Sequence, residues 1–480
     1  MRILSLSTGA MLLSSLLASS AFPQGASPSS AASPTAYEYN TYFSAVSDQT
    51  GTAPAAPAAA PAAAAAPANP CPEAEAPKAD EGWKLPQLCI LKENGWTMGG
   101  WMDAGITFNG AYPVDGSNGP VEFNDLNDTP QVNQFYMFIK KDVDTKGCGV
   151  DYGGRIDAMY GTDGRFPQAA GLETPGNPTY PTASSKFITG ASYYYYSEYR
   201  FALPQAYADL AYNDLTIRLG HFYTMLGNEQ VTAPDNIFYS HTYAFTYGLP
   251  FTHTGVLAIY KVNDQLTVTN GVQVGNDAFD YTGGYQRIGY LGEVNWTSKS
   301  KKLEVAAGLS ATDSQANQGY FTSPATGADN AVTIADFVSK IHLSDDLTYI
   351  SEGDYGQQSD PTLGIATWYG ISQYLQYKLN DKWSAGLRAE WFRDNNGARV
   401  TTFEPVANIT GLTPYQAEVF KGDFYDITAG LTWKANANLT LRQEIRYDWS
   451  RAIGSKGDLP FNAGIRSDQF LTAIDAIYSF

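Results

Sequence analysis

The stretch Phe470-Leu-Thr-Ala-Ile-Asp-Ala-Ile-Tyr-Ser-Phe480 closes the sequence and alternates between two kinds of side chain. Because side chains along a β-strand point to opposite faces with a period of two, the residues at even positions share one face. Asp475 and Ser479 point to the other face. One face therefore suits an apolar medium and the other suits water. This pattern predicts a membrane-spanning strand whose polar face lines a lumen.

The composition is typical of one large barrel rather than of several globular domains. Of the 480 residues, 16% are charged and 14% are aromatic, and the chain contains 33 Tyr and 45 Gly. Such usage fits many short strands bordered by aromatic girdles. No apolar run of about 18 residues or more follows the N-terminal stretch, so the pattern excludes membrane-spanning helices.

The formal net charge of −18 excludes one class of partner. Nucleic acid needs a basic surface, so we expect no nucleic-acid binding. In a pore, excess negative charge is a weak indication of cation preference. Acidic loops that keep the protein soluble explain the same charge equally well.

The N-terminal part of the chain predicts two segments before the barrel. Residues 1–21 have an apolar core after Arg2 and small residues before a cleavage point, as in a secretory signal peptide. Residues 22–95 are rich in Ala and Pro, which favours a disordered, extended periplasmic linker. One interpretation is that this linker contacts peptidoglycan, and the other is that it has no specific partner. The barrel itself is predicted at 96–480.

Alternating segments continue from Gly99 to the end of the chain. In Leu439–Trp449, five apolar residues share one face while the other face carries four charges. Seven short polar turns each join two such segments into a hairpin, and eight longer polar stretches make the other connections. The short turns are Asp144–Gly149, Asn213–Asp214, Asn263–Asp264, Ser298–Lys301, Ser344–Asp346, Asn380–Asp381 and Ala435–Asn438.

This tally predicts an all-β fold, a transmembrane antiparallel up-and-down β-barrel of sixteen strands. Eighteen strands are the alternative, because the stretch 161–204 is long enough to contain another hairpin. Both ends of the barrel lie on the short-turn side, so we expect the final strand to pair with the first, near Gly99–Phe108.

The order of these segments, together with Gly220–Glu229 and Tyr247–Gly255, resembles the OmpL-like family of outer-membrane β-barrel porins. The resemblance covers the barrel and not the linker. It implies a passive channel for small hydrophilic solutes or ions in the outer membrane of a Gram-negative-type bacterium, with no assigned substrate.

The closing strand also resembles the assembly signal of bacterial outer-membrane proteins, carried here by Tyr478 and Phe480. That resemblance implies insertion into outer-membrane lipid by the barrel-assembly machinery. A homotrimer stays open, since a trimer interface cannot be told from the lipid face by sequence.

The third long loop, at 222–254, is placed where general porins narrow the lumen. Its acidic candidates are Glu229 and Asp235. Rows of opposed charge across a lumen create a transverse field that sorts ions, whereas pairs on neighbouring strands only stiffen the wall. The inward candidates on strands are Arg155, Asp157, Asp209, Arg218, Arg388, Glu390, Arg442, Glu444 and Arg446.

We expect no enzyme, cofactor or metal. Neither His221 nor His342 has a Ser or an acid at a spacing that indicates a triad, although a barrel hydrolase and a cell-wall tether remain alternatives. His241 and His253 form a weak metal pair, and the Asp115–Asp128 loop does not match an EF-hand.

The cysteines are Cys71, Cys89 and Cys148, too few and too irregular for zinc. An oxidising compartment favours one disulfide and one free thiol. A Cys89–Cys148 disulfide would join the start of the first strand to a turn at the same rim. A Cys71–Cys89 disulfide would instead close a local loop.

Overall fold

A computed structural model describes residues 82–173, 198–279, 288–312, 331–360, 364–402, 418–454 and 457–480. These residues form a closed antiparallel β-barrel in which each strand pairs with the next along the chain. The barrel strands are β1 (Thr97–Asn109), β2 (Gln131–Lys141), β3 (Val150–Gly161), β4 (Arg200–Tyr212), β5 (Leu215–Tyr223), β6 (Thr252–Asn263), β7 (Leu266–Asn276), β8 (Gly289–Thr297), β9 (Leu303–Thr312), β10 (Val332–His342), β11 (Leu347–Asp360), β12 (Gly364–Lys378), β13 (Trp383–Asp394), β14 (Glu418–Lys434), β15 (Leu439–Ser450) and β16 (Asp468–Ser479).

A few short elements accompany the barrel. Two-residue strands in the long loops pair beside β14, and single turns of helix lie before β1 and inside two loops. The described short elements are Cys89–Glu93 (α1), the 3₁₀ turns Asp163–Arg165 and Ala233–Asp235, the π-turn Ala244–Gly248, and the strands Thr401–Thr402 and Ile453–Gly454. Within the described residues, no helix is long and apolar enough to span a membrane.

The first and last barrel strands pair with each other and close the sheet. Their register runs from Trp101 opposite Ser479 to Asn109 opposite Leu471. Closure satisfies the backbone groups of both edges, which is required where no water is present. The sequence prediction that the final strand meets the first is therefore confirmed.

The count of sixteen barrel strands is confirmed as well. The alternative of eighteen placed another hairpin within 161–204, and residues 174–197 of that stretch lie outside the described residues. However, β3 and β4 pair directly, with Val150 opposite Tyr212 and Gly161 opposite Arg200. The two strands are therefore direct neighbours in the barrel wall.

The seven predicted turns all join consecutive strands at one end of the barrel. The connection between β4 and β5 shows why turn residues mark these positions. It has two residues, and Asn213 adopts a φ of 52°. This left-handed conformation is easiest for Gly, Asn and Asp, so such residues predict tight hairpins.

The two faces of the wall differ as the alternation predicts. In β16, Phe470, Ile474 and Tyr478 are exposed on the outside, whereas Gln469 and Asp475 are buried on the inside. Aromatic pairs mark both ends of the outer face. Examples are Trp383 with Trp433 at the short-turn end, 5.6 Å apart, and Tyr425 with Trp449 toward the long loops, 5.1 Å apart.

The residues just before β1 dock on the short-turn rim. Trp83 exchanges two hydrogen bonds with the Asn438 side chain, at 2.7 and 2.6 Å, and its ring lies 5.9 Å from that of Phe480. The end of the predicted linker is therefore attached beside the barrel seam. The predicted signal peptide at 1–21 and the linker up to residue 81 lie outside the described residues.

The expected Cys89–Cys148 disulfide is wrong. Cys89 is disulfide-bonded, but Cys148 is a free and exposed thiol. The turn that carries Cys148 leans toward the β4–β5 hairpin, where Thr145 Oγ1 donates to the Asn213 carbonyl at 2.6 Å. It is therefore held away from the start of β1. Cys71, the other candidate partner, lies outside the described residues.

Candidate luminal constriction

Loop 3, residues 224–251, leaves the wall after β5 and returns to it at β6. Most of its residues are buried. Phe238 packs against the inner wall over Gly386 and Gly430, which face each other on β13 and β14. A Cβ atom at Gly386 would lie 2.8 Å from the Phe238 ring, too close for any side chain. Loop 3 therefore lies inside the barrel, and small residues in the wall make room for it.

Two of the predicted acidic residues hold loop 3 by its backbone. Glu390 accepts the N–H groups of Tyr243 and Ala244 at 2.8 and 2.7 Å. Glu444 accepts those of Tyr239 at 2.9 Å and of the next residue at 3.2 Å. Each carboxylate thus pairs two backbone N–H groups that would otherwise be buried without a partner. These carboxylates are therefore anchors for the loop.

Three predicted arginines bind the same loop through its carbonyl oxygens. Arg388 donates to Ser240 at 2.7 Å, and Arg446 donates to His241 at 2.5 Å. Arg442 donates at 2.8–2.9 Å to three carbonyls, those of Ala233, Asn236 and Phe238. The planar guanidinium offers five N–H donors, so one arginine can bind several backbone carbonyls of the loop.

These arginines also pair with acids of the wall behind them. Arg388 lies 3.4 Å from Asp426, and Arg446 lies 2.8 Å from Asp448. Buried charges are tolerated only when they are paired and hydrogen-bonded, and here each guanidinium is. We call eight inward ionisable side chains of β13–β16 the mixed wall: Arg388, Glu390, Asp426, Arg442, Glu444, Arg446, Asp448 and Asp475.

Glu229 is the ionisable centre of loop 3 itself. Its carboxylate lies 3.1 Å from Arg388 Nη1 and 3.0 Å from His241 Nδ1, and the Tyr374 hydroxyl donates to it at 3.1 Å. Burial alone would raise the pKa of Glu229, but the charge of Arg388 and the hydrogen bond to His241 outweigh it and lower the pKa to about 2. Glu229 is therefore ionised at neutral pH and ties loop 3 to the mixed wall.

The remaining strand candidates form pairs within the wall. Asp209 and Arg218 face each other on β4 and β5 and form two hydrogen bonds of 2.8 Å. Arg155 donates to Asp157, two residues along β3, at 2.7 Å. For these four residues, the arrangement is the cross-strand and along-strand pairing that stiffens a sheet. They are not brought together with the mixed wall.

Asp235 and the assembly residues occupy other places. Asp235 is partly buried in the 3₁₀ turn of loop 3, where it accepts the Thr232 hydroxyl and where burial raises its pKa. Tyr478 faces outward near the end of β16. The backbone of Phe480 pairs with Gly100, with N–O distances of 3.0 and 2.9 Å, so it completes the seam.

Sequence reasoning missed several residues that hold the loop. Trp368 Nε1 donates to the Gly248 carbonyl at 3.0 Å, and Arg399 Nε donates to the Tyr247 carbonyl at 2.6 Å. Arg399 lies in a long loop, so no strand period points to it. Trp368 lies on the inner face of β12, where its alternation with polar residues was an available signal.

The four histidines bind neighbouring polar side chains. His241 contacts Glu229, and the other three contact threonine, glutamine or glutamate side chains through their ring nitrogens. His241 also stacks on Phe245, with ring centroids 4.4 Å apart. Each imidazole therefore serves to position loop or wall residues.

A small cavity lies between loop 3 and the wall. Glu229, Asn236, Ser240 and Gln376 give it a polar lining, with Phe238 on one side. The geometry thus combines a buried loop, two kinds of charge and a polar space at one level of the lumen.

Comparison with known proteins identifies the barrel but no near relative. Residues 95–480 match the family model described as "Putative beta-barrel porin-2, OmpL-like". No curated protein sequence matches the chain.

Several solved structures are similar at low identity. The outer membrane channel DcaP of Acinetobacter baumannii is 11% identical, covering 80% of this chain and 97% of that chain with a TM-score of 0.47. An anion-selective porin from Comamonas acidovorans is 9% identical, covering 80% and 99%, with a TM-score of 0.47. OprB of Pseudomonas putida is 14% identical, covering 82% and 96%, with a TM-score of 0.48.

Proposed function

The chain belongs to the OmpL-like β-barrel porin family of the outer membrane, and from this premise we propose that it allows passive diffusion of small hydrophilic solutes or ions. Solutes pass through the lumen beside loop 3, driven by their own gradient. The mechanism needs no catalytic residue and no cofactor.

The observation that supports this proposal is the attachment of loop 3 to the mixed wall. Glu390, Glu444 and three arginines hold the loop by its backbone inside the barrel. A loop fixed in this way occupies part of the cross-section of the lumen and so narrows it. The narrowing is built on charged groups of both signs, which favours water and polar solutes over apolar ones.

Conductance measurements test the proposal. The purified full-length mature protein, inserted into a planar lipid bilayer, is expected to give discrete open-channel steps. Glu390→Gln replaces one acceptor oxygen with an amide that cannot bind a loop N–H, so loop 3 loosens and the single-channel conductance rises. Lys434→Ala, at an exposed position on the short-turn rim, is the matched control and should keep the wild-type conductance.

Two results would count against the proposal. If correctly inserted wild-type protein gave no discrete conductance steps, the proposed diffusion function would be wrong. Discrete steps of equal size in the wild type and in Glu390→Gln would keep diffusion but remove the narrowing role of loop 3.

A further inference from the structure

A second group of acids lies on the inner face of β10 and β11, away from the mixed wall. Asp336 and Asp354 are direct cross-strand partners, and Glu352 precedes Asp354 by two residues on the same face. All three are buried, with exposures of 4%, 2% and 4% for Asp336, Glu352 and Asp354. One carboxylate oxygen from each lies within 4.8 Å of the others. We call these three residues the acidic wall.

The carboxylates of the acidic wall have few donors. Among the described residues, loop 3 supplies the N–H of Gly227 to Asp336 at 3.0 Å and the N–H of Asn228 to Glu352 at 3.1 Å. Apart from each other, both oxygens of Asp354 and one oxygen of Asp336 have no hydrogen-bond partner among the described residues, and all three oxygens are buried. A buried carboxylate is costly unless a cation or donors compensate it.

The arginines of the mixed wall pair with other acids. Arg388 pairs with Glu229 and Asp426, and Arg442 and Arg446 pair with acids of β14–β16. Lys340 lies on the same face of β10, and its charge acts on Glu304 and Glu352. A cation beside Asp336 and Asp354 would add to the compensation that Lys340 gives Glu352.

A neutral oxygen also lies beside the three acids. Ser372 on β12 is the direct cross-strand partner of Glu352 and is fully buried, and no other described residue forms a hydrogen bond with its Oγ atom. Side chains of direct partners have Cβ atoms about 5 Å apart, so this hydroxyl borders the acids. It is independent of the acidic residues and adds an oxygen of the kind that hard cations bind.

We propose that Asp336, Glu352 and Asp354 bind a divalent cation, with Ser372 and water completing the coordination. Ca²⁺ binds six to eight oxygens in a flexible geometry, whereas Mg²⁺ needs a near-ideal octahedron and usually keeps several waters. Three converging carboxylates and a hydroxyl, all supplied by the protein, therefore fit Ca²⁺ best.

Cation binding also stabilises the start of loop 3. Gly227 and Asn228 bind two of the three acids, and Gly227 adopts a φ of 91° beside Glu352. Tyr374 lies between Glu352 and Glu229, at 3.5 and 3.1 Å. Binding rests on these contacts alone and does not depend on the proposed diffusion function.

Binding is tested with the full-length mature protein after treatment with a chelator. Titration calorimetry with CaCl₂ should show a site that Asp354→Asn weakens about tenfold or more, since carboxylate number sets Ca²⁺ affinity. Asp209→Asn is the matched control, because Asp209 is a buried luminal acid already paired with Arg218. It should bind Ca²⁺ like the wild type.

The melting temperature is a second measurement, which remains informative if Asp354→Asn folds poorly. Asp354→Asn removes one of three crowded negative charges, so in chelator it should melt at a higher temperature than the wild type. Ca²⁺ should raise the melting temperature of the wild type and leave that of the variant unchanged. Equal Ca²⁺ binding by wild type and Asp354→Asn would overturn the site, as would a lack of binding by the folded wild type. Tighter binding of MgCl₂ than of CaCl₂ would overturn the assignment to Ca²⁺.

Discussion

The mixed wall and the acidic wall both meet loop 3, but they compensate their carboxylates in different ways. On the mixed wall, Arg388, Arg442 and Arg446 lie between the wall acids and the loop carbonyls and bind both. On the acidic wall, the described contacts supply two backbone N–H groups and no guanidinium. The same loop is thus held by cations built into the chain on one side and by an acid cluster on the other.

This difference indicates how each wall holds loop 3. A guanidinium is always charged and cannot leave, so the mixed wall holds loop 3 under all ordinary conditions. An acid cluster changes its charge with protonation and with bound cations, so its hold on the loop depends on the solution. The following variants separate the two contributions.

The largest effect is expected for Arg442→Ala. Arg442 is buried, pairs with Asp475, lies 4.0 Å from Asp103 and donates to three loop carbonyls. Its removal leaves buried acids without a partner, which typically costs about 3–5 kcal/mol. We expect a loss of this size in the free energy of unfolding, measured by denaturant titration of the protein in detergent.

Arg466→Ala is the matched control for Arg442→Ala. Arg466 also pairs with an aspartate, Asp468, but both side chains are substantially exposed. Exposed pairs contribute about 0–1 kcal/mol, so this variant should unfold almost like the wild type. Equal losses in the two variants would show that Arg442 does not hold the loop and the seam together.

The pH dependence of stability gives an intermediate effect, through Glu229. Its pKa is about 2 in the folded protein and 4.5 ordinarily, so the ionised form favours folding. This contribution, about 3 kcal/mol, is complete above pH 4.5 and is lost as the pH falls to about 2. We expect the stability difference between wild type and Glu229→Gln to shrink over this window. A difference independent of pH between 6 and 2 would contradict the Arg388 and His241 contacts.

The fold was largely predictable because its signals are local. Alternation with a period of two marks each strand, and Asn or Asp with a left-handed φ marks the tight turns, as at Asn213. Turn positions then set the register. Cysteine pairing was not predictable, because it depends on the direction in which the Cys148 turn leans, and no local pattern records that.

The inward direction of the candidate side chains was predictable, but their contacts were not. Inward charges such as Glu390 and Glu444 were identified by alternation, yet their partners are backbone N–H groups of a loop about 150 to 200 residues away in sequence. The path of loop 3 depends on the space above Gly386, which no strand period reveals. The acidic wall had a usable signal, since the turn at Ser344–Asp346 lies midway between Asp336 and Asp354 and so pairs them.

The smallest effects come from one change made on each wall, Glu444→Gln and Glu352→Gln, measured in chelator. Glutamine replaces one carboxylate oxygen with an NH₂ donor, which then faces a buried loop N–H, so Glu444→Gln should destabilise by about 1–3 kcal/mol. Glu352 receives a single loop N–H at 3.1 Å, which glutamine can still accept. Removing its charge relieves repulsion from Asp336 and Asp354, so Glu352→Gln should stabilise by about 1 kcal/mol. Denaturant titrations that give both variants the same sign would mean that the two walls hold loop 3 in the same way.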